Sequence, residues 1–141
     1  MRFWDSSAII TLIVAEAATA AAQDALRHDP SMMAWWAAEL ECVSALSRLE
    51  RDGDLAPEKA EEAGERLSAL AGSWHEVQPT EPVRRTAKRL LRLHPLRTAD
   101  SLQLAAALVA SEGDPGTLGF ISLDARLVTA ARKEGLTLVD L

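Results

Sequence analysis

Short strand-like runs alternate with longer helical ones along the whole chain, and this alternation restricts the fold to a parallel sheet covered by helices. The candidate strands are RFWD at the start, MMAWW near 32–36, SWHEVQ near 73–78, LGFIS near 118–122 and LTLVDL at the end. Parallel neighbours need a crossover of a dozen or more residues, and helices fill such crossovers. The expectation is an α/β fold in three layers, α/β/α, with a mostly parallel sheet of about five strands. In open sheets of this kind, ligands bind beyond the carboxyl ends of the strands, so residues that directly follow strands are the places to look for chemistry.

Spacing and punctuation mark the helices. In AAELECVSALSRLERDG, Ala38, Cys42, Ala45, Leu46 and Leu49 form one apolar face and Gly53 offers a stop. Pro57 suits the first position of an acidic helix, and Thr80 is placed to cap EPVRRTAKRLLRL, with Pro82 in its first turn. On that basic helix Val83, Ala87, Leu90 and Leu91 are expected to face inward. TADSLQLAAALVAS is apolar nearly all round, as a helix packed on both sides would be. DPGTLG breaks the chain, and DARLVTAARKEG makes a last helix ending at Gly135.

Composition narrows the function. The 141 residues match one typical domain, 1–141, and 48% apolar content is enough for a core without disulfides. The single cysteine, Cys42, forms no internal bridge and reads as core in a reducing compartment. A net charge of −6 argues against indiscriminate coating of nucleic acid. Arg2, AIITLIVA and ATAAA imitate a signal peptide, but Asp5 spoils the positive region and Glu16 ends the apolar run early. No segment reaches the ~18 apolar residues of a membrane span. A soluble, cytoplasmic protein is expected.

Four acids stand where ligands are expected. Asp5 ends the first strand, Glu41 lies in the opening turns of the helix after the second, Asp124 follows FIS, and Asp100 sits in the first turn of the all-apolar helix. Each alone has an ordinary explanation as a cap or dipole partner worth ~0.5–2 kcal/mol, and Asp100 followed by Gln103 imitates a capping box. Glu39 and Glu41 lie on opposite margins of one apolar face, so periodicity does not choose between them. Together the acids mean more. Two unit charges ~4 Å apart at an effective dielectric of ~20 repel by ~4 kcal/mol, so converging carboxylates call for raised pKa values or a divalent cation. With oxygen ligands alone, that cation is Mg²⁺ or Mn²⁺, which binds phosphates as well, and phosphodiester hydrolysis is its obvious use. Ser6 and Ser7 are candidates for a water or phosphate contact beside their capping roles.

DSSAII, ELECVSALSRLERDGDL, LRTADSLQLAAAL and FISLDARLVTAARKEGL resemble, in order and spacing, the four acidic motifs of PIN-domain ribonucleases, above all the VapC-type toxins of bacterial toxin–antitoxin pairs. The resemblance runs the whole length. It implies a three-layer α/β/α fold, Mg²⁺- or Mn²⁺-dependent endoribonuclease activity on RNA, a homodimer, and inhibition by a cognate antitoxin. It also selects Glu41 over Glu39, four residues before the small residue of SAL, with Arg48 at the usual basic position. Asp5, Glu41, Asp100 and Asp124 carry over as catalytic, metal-holding residues. Trp4 departs from the commoner aliphatic residue before the first acid, and SEGDPGTLG lengthens the connection into the fourth strand.

Six of the fifteen basic residues, Arg84, Arg85, Lys88, Arg89, Arg92 and Arg97, fall in EPVRRTAKRLLRLHPLR. They read as a solvated face, or as a phosphate strip or antitoxin-docking surface, with Arg97 best placed for either. Trp4, Trp35, Trp36 and Trp74 cluster at strands, as core packing explains, and His28, His75 and His94 have no ligand spacing. Two rivals stand beside the nuclease. A receiver-type signalling domain would need an acidic pair after the first strand, an aspartate after the third and a lysine near the end of the fifth, which this chain lacks. A non-catalytic α/β binding domain would not need an intact acid set.

Overall fold

The computed structural model describes residues 1–141. Its strands are β1 (Arg2–Trp4), β2 (Met32–Trp35), β3 (His75–Val77), β4 (Gly119–Ile121) and β5 (Thr137–Leu138). All neighbours pair in parallel, in the order β3-β2-β1-β4-β5. The helices are α1 (Ser6–Ile13), α2 (Thr19–His28), α3 (Ala38–Arg51), α4 (Pro57–Ala71), α5 (Glu81–Leu93), α6 (Thr98–Ala110) and α7 (Ala125–Lys133), with a short 3₁₀ turn at Pro115–Thr117. This is the three-layer α/β/α architecture expected from the alternation.

The strand order decides where a site can form. The chain steps outward from β1 to β2 and β3, then returns to place β4 on the other side of β1. The reversal opens a crevice at the carboxyl ends of β1 and β4, the usual ligand position in doubly wound sheets. Directly below it Phe3 and Phe120 sit side by side in register, their rings stacked with centroids 5.7 Å apart. Both are completely or nearly completely buried, as are Trp4, Ile9, Ile121 and Leu127 around them. The floor of the crevice is thus fully buried core.

Helix ends follow the punctuation in most places. Gly53 and Gly135, at φ +77° and +89°, take the left-handed conformation just after α3 and α7 that residues with a Cβ adopt at a cost. Pro57 opens α4. Thr80 precedes α5 with extended backbone, but its side chain makes no capping hydrogen bond, contrary to expectation. Leu91, expected to face inward, is 41% exposed, because the buried stripe of α5 is limited to Val83, Ala87 and Leu90. Trp4, Trp35 and Trp74 are core residues, whereas Trp36, one residue beyond β2, stands 44% exposed. His94, half-buried in a joint between α5 and α7, lies 2.7 Å from Glu134, which also receives Arg89. Burial pushes the Glu134 carboxyl up, and these donors more than offset it, leaving the group below its ordinary value. No helix is long and apolar enough to cross a membrane.

Candidate active site

Asp5 is the N-cap of α1. Its backbone N–H donates to the Ile121 carbonyl at 2.9 Å, which ties the end of β1 to the end of β4. Its Oδ2 accepts from the Ser7 N–H at 3.2 Å, the Ser7 hydroxyl at 2.5 Å and the Ser122 hydroxyl at 2.9 Å. All the hydrogen bonds found on this side chain fall on Oδ2, so Oδ1 is free of protein donors. Burial raises the Asp5 pKa; the Ser7 and Ser122 donors offset part of that, and Asp100 raises it further.

Glu41 enters from α3. The Ser6 hydroxyl donates to its Oε2 at 3.0 Å and the Gln103 amide to its Oε1 at 3.2 Å. Burial, with added repulsion from Asp5 and Asp100, outweighs those donors and lifts its pKa to about 6. Asp100 stands in the first turn of α6 and is likewise raised, by burial first and then by Asp124. Asp124 is the N-cap of α7, its Oδ1 accepting from the N–H groups of Arg126 and Leu127 at 2.9 and 3.0 Å.

One cavity of about 250 Å³ is lined by Asp5, Ser6, Ser7, Glu41, Asp100 and Asp124, together with Ile10, Ala45 and Arg48. Residues scattered over 120 positions therefore share a crevice at the switch point. Glu39, half-buried, is not part of its lining. Arg97 lines the adjoining cavity, which shares Asp100 and Asp124 with the first. None of the four carboxylates takes part in a salt bridge. Burial first, and the neighbouring like charges after it, push Asp5, Glu41 and Asp100 upward.

Two residues of this site were missed by sequence reasoning. Ser122 bonds both Asp5 and the Asp124 backbone N–H, the latter at 3.0 Å. Gln103, completely buried, does not complete a capping box with Asp100: Arg97 is the N-cap, and the Gln103 amide turns to Glu41, leaving its own Oε1 without a partner. The SLD segment with its serine two residues before an acid hints at the first; nothing in the sequence marks the second. Cys42 packs beneath, its thiol pushed up to about 12 by burial and by Glu41 and Asp5, so it is inert core.

The shift at Glu41 has a measurable sign. Between the ordinary 4.5 and about 6 the native chain holds more proton on this group than the unfolded chain does, so Glu41's contribution to stability falls as pH rises through that window. The melting temperature of Glu41→Gln minus that of the parent, measured in EDTA, is expected to grow from pH 4.5 to 7 and then level. A difference that stays constant across this range contradicts the assignment.

The site is an acid-lined crevice at the switch point of a three-layer α/β/α fold. No protein-family model matches the sequence. Over 133 residues, 94% of this chain and 90% of the relative, it is 29% identical to the ribonuclease VapC45 of Mycobacterium tuberculosis, and by the same measures to the ribonuclease VapC49 of that species. The crystal structure of Mycobacterium tuberculosis VapC20, a sarcin–ricin loop cleaving toxin, superimposes with a TM-score of 0.65 at 16% identity, over 92% of this chain and 95% of that one. FitAcB from Neisseria gonorrhoeae superimposes at 0.63 with 17% identity, over 99% and 97%. In sequence the chain is thus similar to VapC ribonucleases over nearly its whole length, and in fold to VapC20 and FitAcB.

Proposed function

We propose that this chain is a Mg²⁺- or Mn²⁺-dependent endoribonuclease, the toxin component of a toxin–antitoxin pair, and that Asp5, Glu41, Asp100 and Asp124 form its catalytic site. The observation that carries this reading is the gathering of four carboxylates, none of them in a salt bridge, around one crevice. The ribonuclease relatives support the reaction class.

The donor set fits a hard divalent ion. Every polar side-chain atom that Asp5, Ser6, Ser7, Glu41, Asp100 and Asp124 offer is oxygen, the donor type a hard divalent ion takes. As their side chains stand, no three of the acids close on a single point. Asp5 Oδ1 and the Glu41, Asp100 and Asp124 carboxylates are the groups that would hold the ion. When bound, the ion supplies charge stabilisation at the phosphate and lowers the pKa of the attacking water.

The chain's own residues do the positioning. Ser7 and Ser122 fix the plane of Asp5, and Ser6 and Gln103 fix Glu41, so each carboxylate faces the crevice from a held rotamer. Arg97, at the rim beside Asp100, is placed to meet a phosphate oxygen of the substrate. Water adds to phosphorus and the bond to the ribose oxygen breaks, giving a 3′-hydroxyl and a 5′-phosphate by analogy with the family. Single-stranded or looped RNA is the expected substrate, because its bases are accessible. Trp36, Leu40 and Val43, exposed around the start of α3, offer apolar surface for the antitoxin or a second copy that the resemblance implies.

The test is cleavage of looped and single-stranded RNAs by purified protein in Mg²⁺, Mn²⁺ or EDTA, alongside Asp100→Asn. Cleavage is expected in either metal, and to fall more than about a hundredfold in EDTA or with Asp100→Asn. Equal cutting by parent and variant in EDTA rejects the proposal. In a receiver-type reading, the phosphoacceptor position after β3 is occupied by Gln78, which takes no phosphoryl group.

A further inference from the structure

The basic helix α5 was the sequence's obvious candidate for a phosphate strip, yet none of its cations lines the acidic crevice or the cavity beside it. Two of them are engaged elsewhere: Arg84 pairs with Glu81 at 3.0 Å and Arg89 with Glu134 at 2.7 Å. The cations that border the site come from other elements.

Three cavities run together along one side of the molecule. The acidic crevice shares Asp100 and Asp124 with a cavity of about 530 Å³ whose walls include Arg97 and Arg126. That cavity in turn shares Ala125 and Arg126 with a third, of about 290 Å³, which follows α7 to Lys133 and ends at His94 and Pro95. Arg97, Arg126 and Lys133 are exposed and form no salt bridge, and beyond the crevice no acid lines either of the two outer cavities except Asp100 and Asp124 themselves.

The placement of Arg126 is itself informative. It occupies the first turn of α7, where the helix dipole favours anions and disfavours a cation. Exposed and in no salt bridge, it faces the groove beside Asp100 and Asp124, close enough to Asp100 to lower the pKa of that acid. Arg126 and Lys133 lie seven residues apart, about 10 Å along the helix axis, so a chain in the groove meets them in succession.

We propose that Arg126 and Lys133 form a phosphate-tracking groove along α7 that holds the RNA strand on one side of the scissile bond. This rests on the ribonuclease reading and deepens it. A strand whose phosphate sits among the acids continues into this groove, because the two share a wall. No apolar side chain larger than alanine or proline lines the two outer cavities, so they lack the anchor pockets a peptide segment needs, whereas their cations suit a sugar–phosphate backbone. With contacts only to phosphate, the groove adds affinity without reading sequence.

The test is binding of a 5′-fluorescein single-stranded RNA of twelve nucleotides, by anisotropy in EDTA and over a range of NaCl. The parent is compared with Arg126→Gln/Lys133→Gln and with Arg51→Gln/Lys59→Gln, a pair that removes the same charge outside the groove. Each phosphate contact on a single strand contributes ~0.7 to the slope of log K against log salt, so the groove variant is expected to lose ~1.4 and to bind about 25-fold more weakly at 0.1 M salt. The control pair is expected to keep the parent slope. Identical slopes for parent and groove variant overturn the proposal, as does an equal loss in the control pair or no binding by the parent at low salt. So does a parent that binds polyglutamate more tightly than RNA, which would make the groove a protein-docking surface. RNA binding that depends on the groove, in a protein that cuts no RNA in Mg²⁺, would fault the nuclease reading and leave the groove standing.

Discussion

Asp5→Asn is expected to abolish RNA cleavage, by more than about a hundredfold, and to make the protein more stable when divalent metal is absent. Asp5 is 4% exposed, and its burial disfavours the charged form. Asparagine keeps an oxygen for the three donors that Oδ2 serves and removes the charge that Glu41 and Asp100 oppose. Relief on the order of 1 kcal/mol corresponds to a rise of about 3 °C in melting temperature. Saturating Mg²⁺ reverses the order. A ligand at about a hundred times its dissociation constant adds about 2.7 kcal/mol to the protein that binds it, and the variant forfeits most of that. Thermal melts of both proteins in EDTA and in Mg²⁺ read the crossing directly. A variant less stable than the parent in EDTA would mean that Asp5 is a structural cap and nothing more.

Phe120→Ala carries the largest expected loss of stability. The ring is 1% exposed and stacked on Phe3 in the register of β1 with β4, at the floor of the crevice. Removing a buried phenylalanine costs about 3–5 kcal/mol, against a total of about 5–15 for a domain. The melting temperature should fall by about 10–15 °C. Nuclease activity at low temperature should fall as well, because the pairing that Phe120 supports carries Ser122 to Asp5. A drop of less than about 3 °C would show that the two central strands do not depend on this stack.

Much of the site could be read from the sequence because a carboxylate placed directly after a core strand is conspicuous: Asp5 and Asp124 interrupt apolar runs, and parallel topology puts both at the same edge. Glu41 could not be separated from Glu39 by periodicity, since both flank one helical face; only Glu41 lines the crevice. The spacing of Gln103 three residues after Asp100 predicts a local pair, whereas its actual partner, Glu41, is 62 residues distant. Helical spacing describes a residue's face and says nothing of what another element brings to it. The same limit applied to α5, whose pattern separates solvent from core without saying which end of the sheet the solvent face borders.

The strand order also has a consequence during synthesis. β1 and its neighbour β4 are separated by more than a hundred residues, so the middle of the sheet stays open until residues 119–121 have been made. Pairings this distant in sequence form late. A chain that stops short of residue 119 lacks β4, Ser122 and Asp124, and so has neither the far wall of the crevice nor the donors that hold Asp5 from that side.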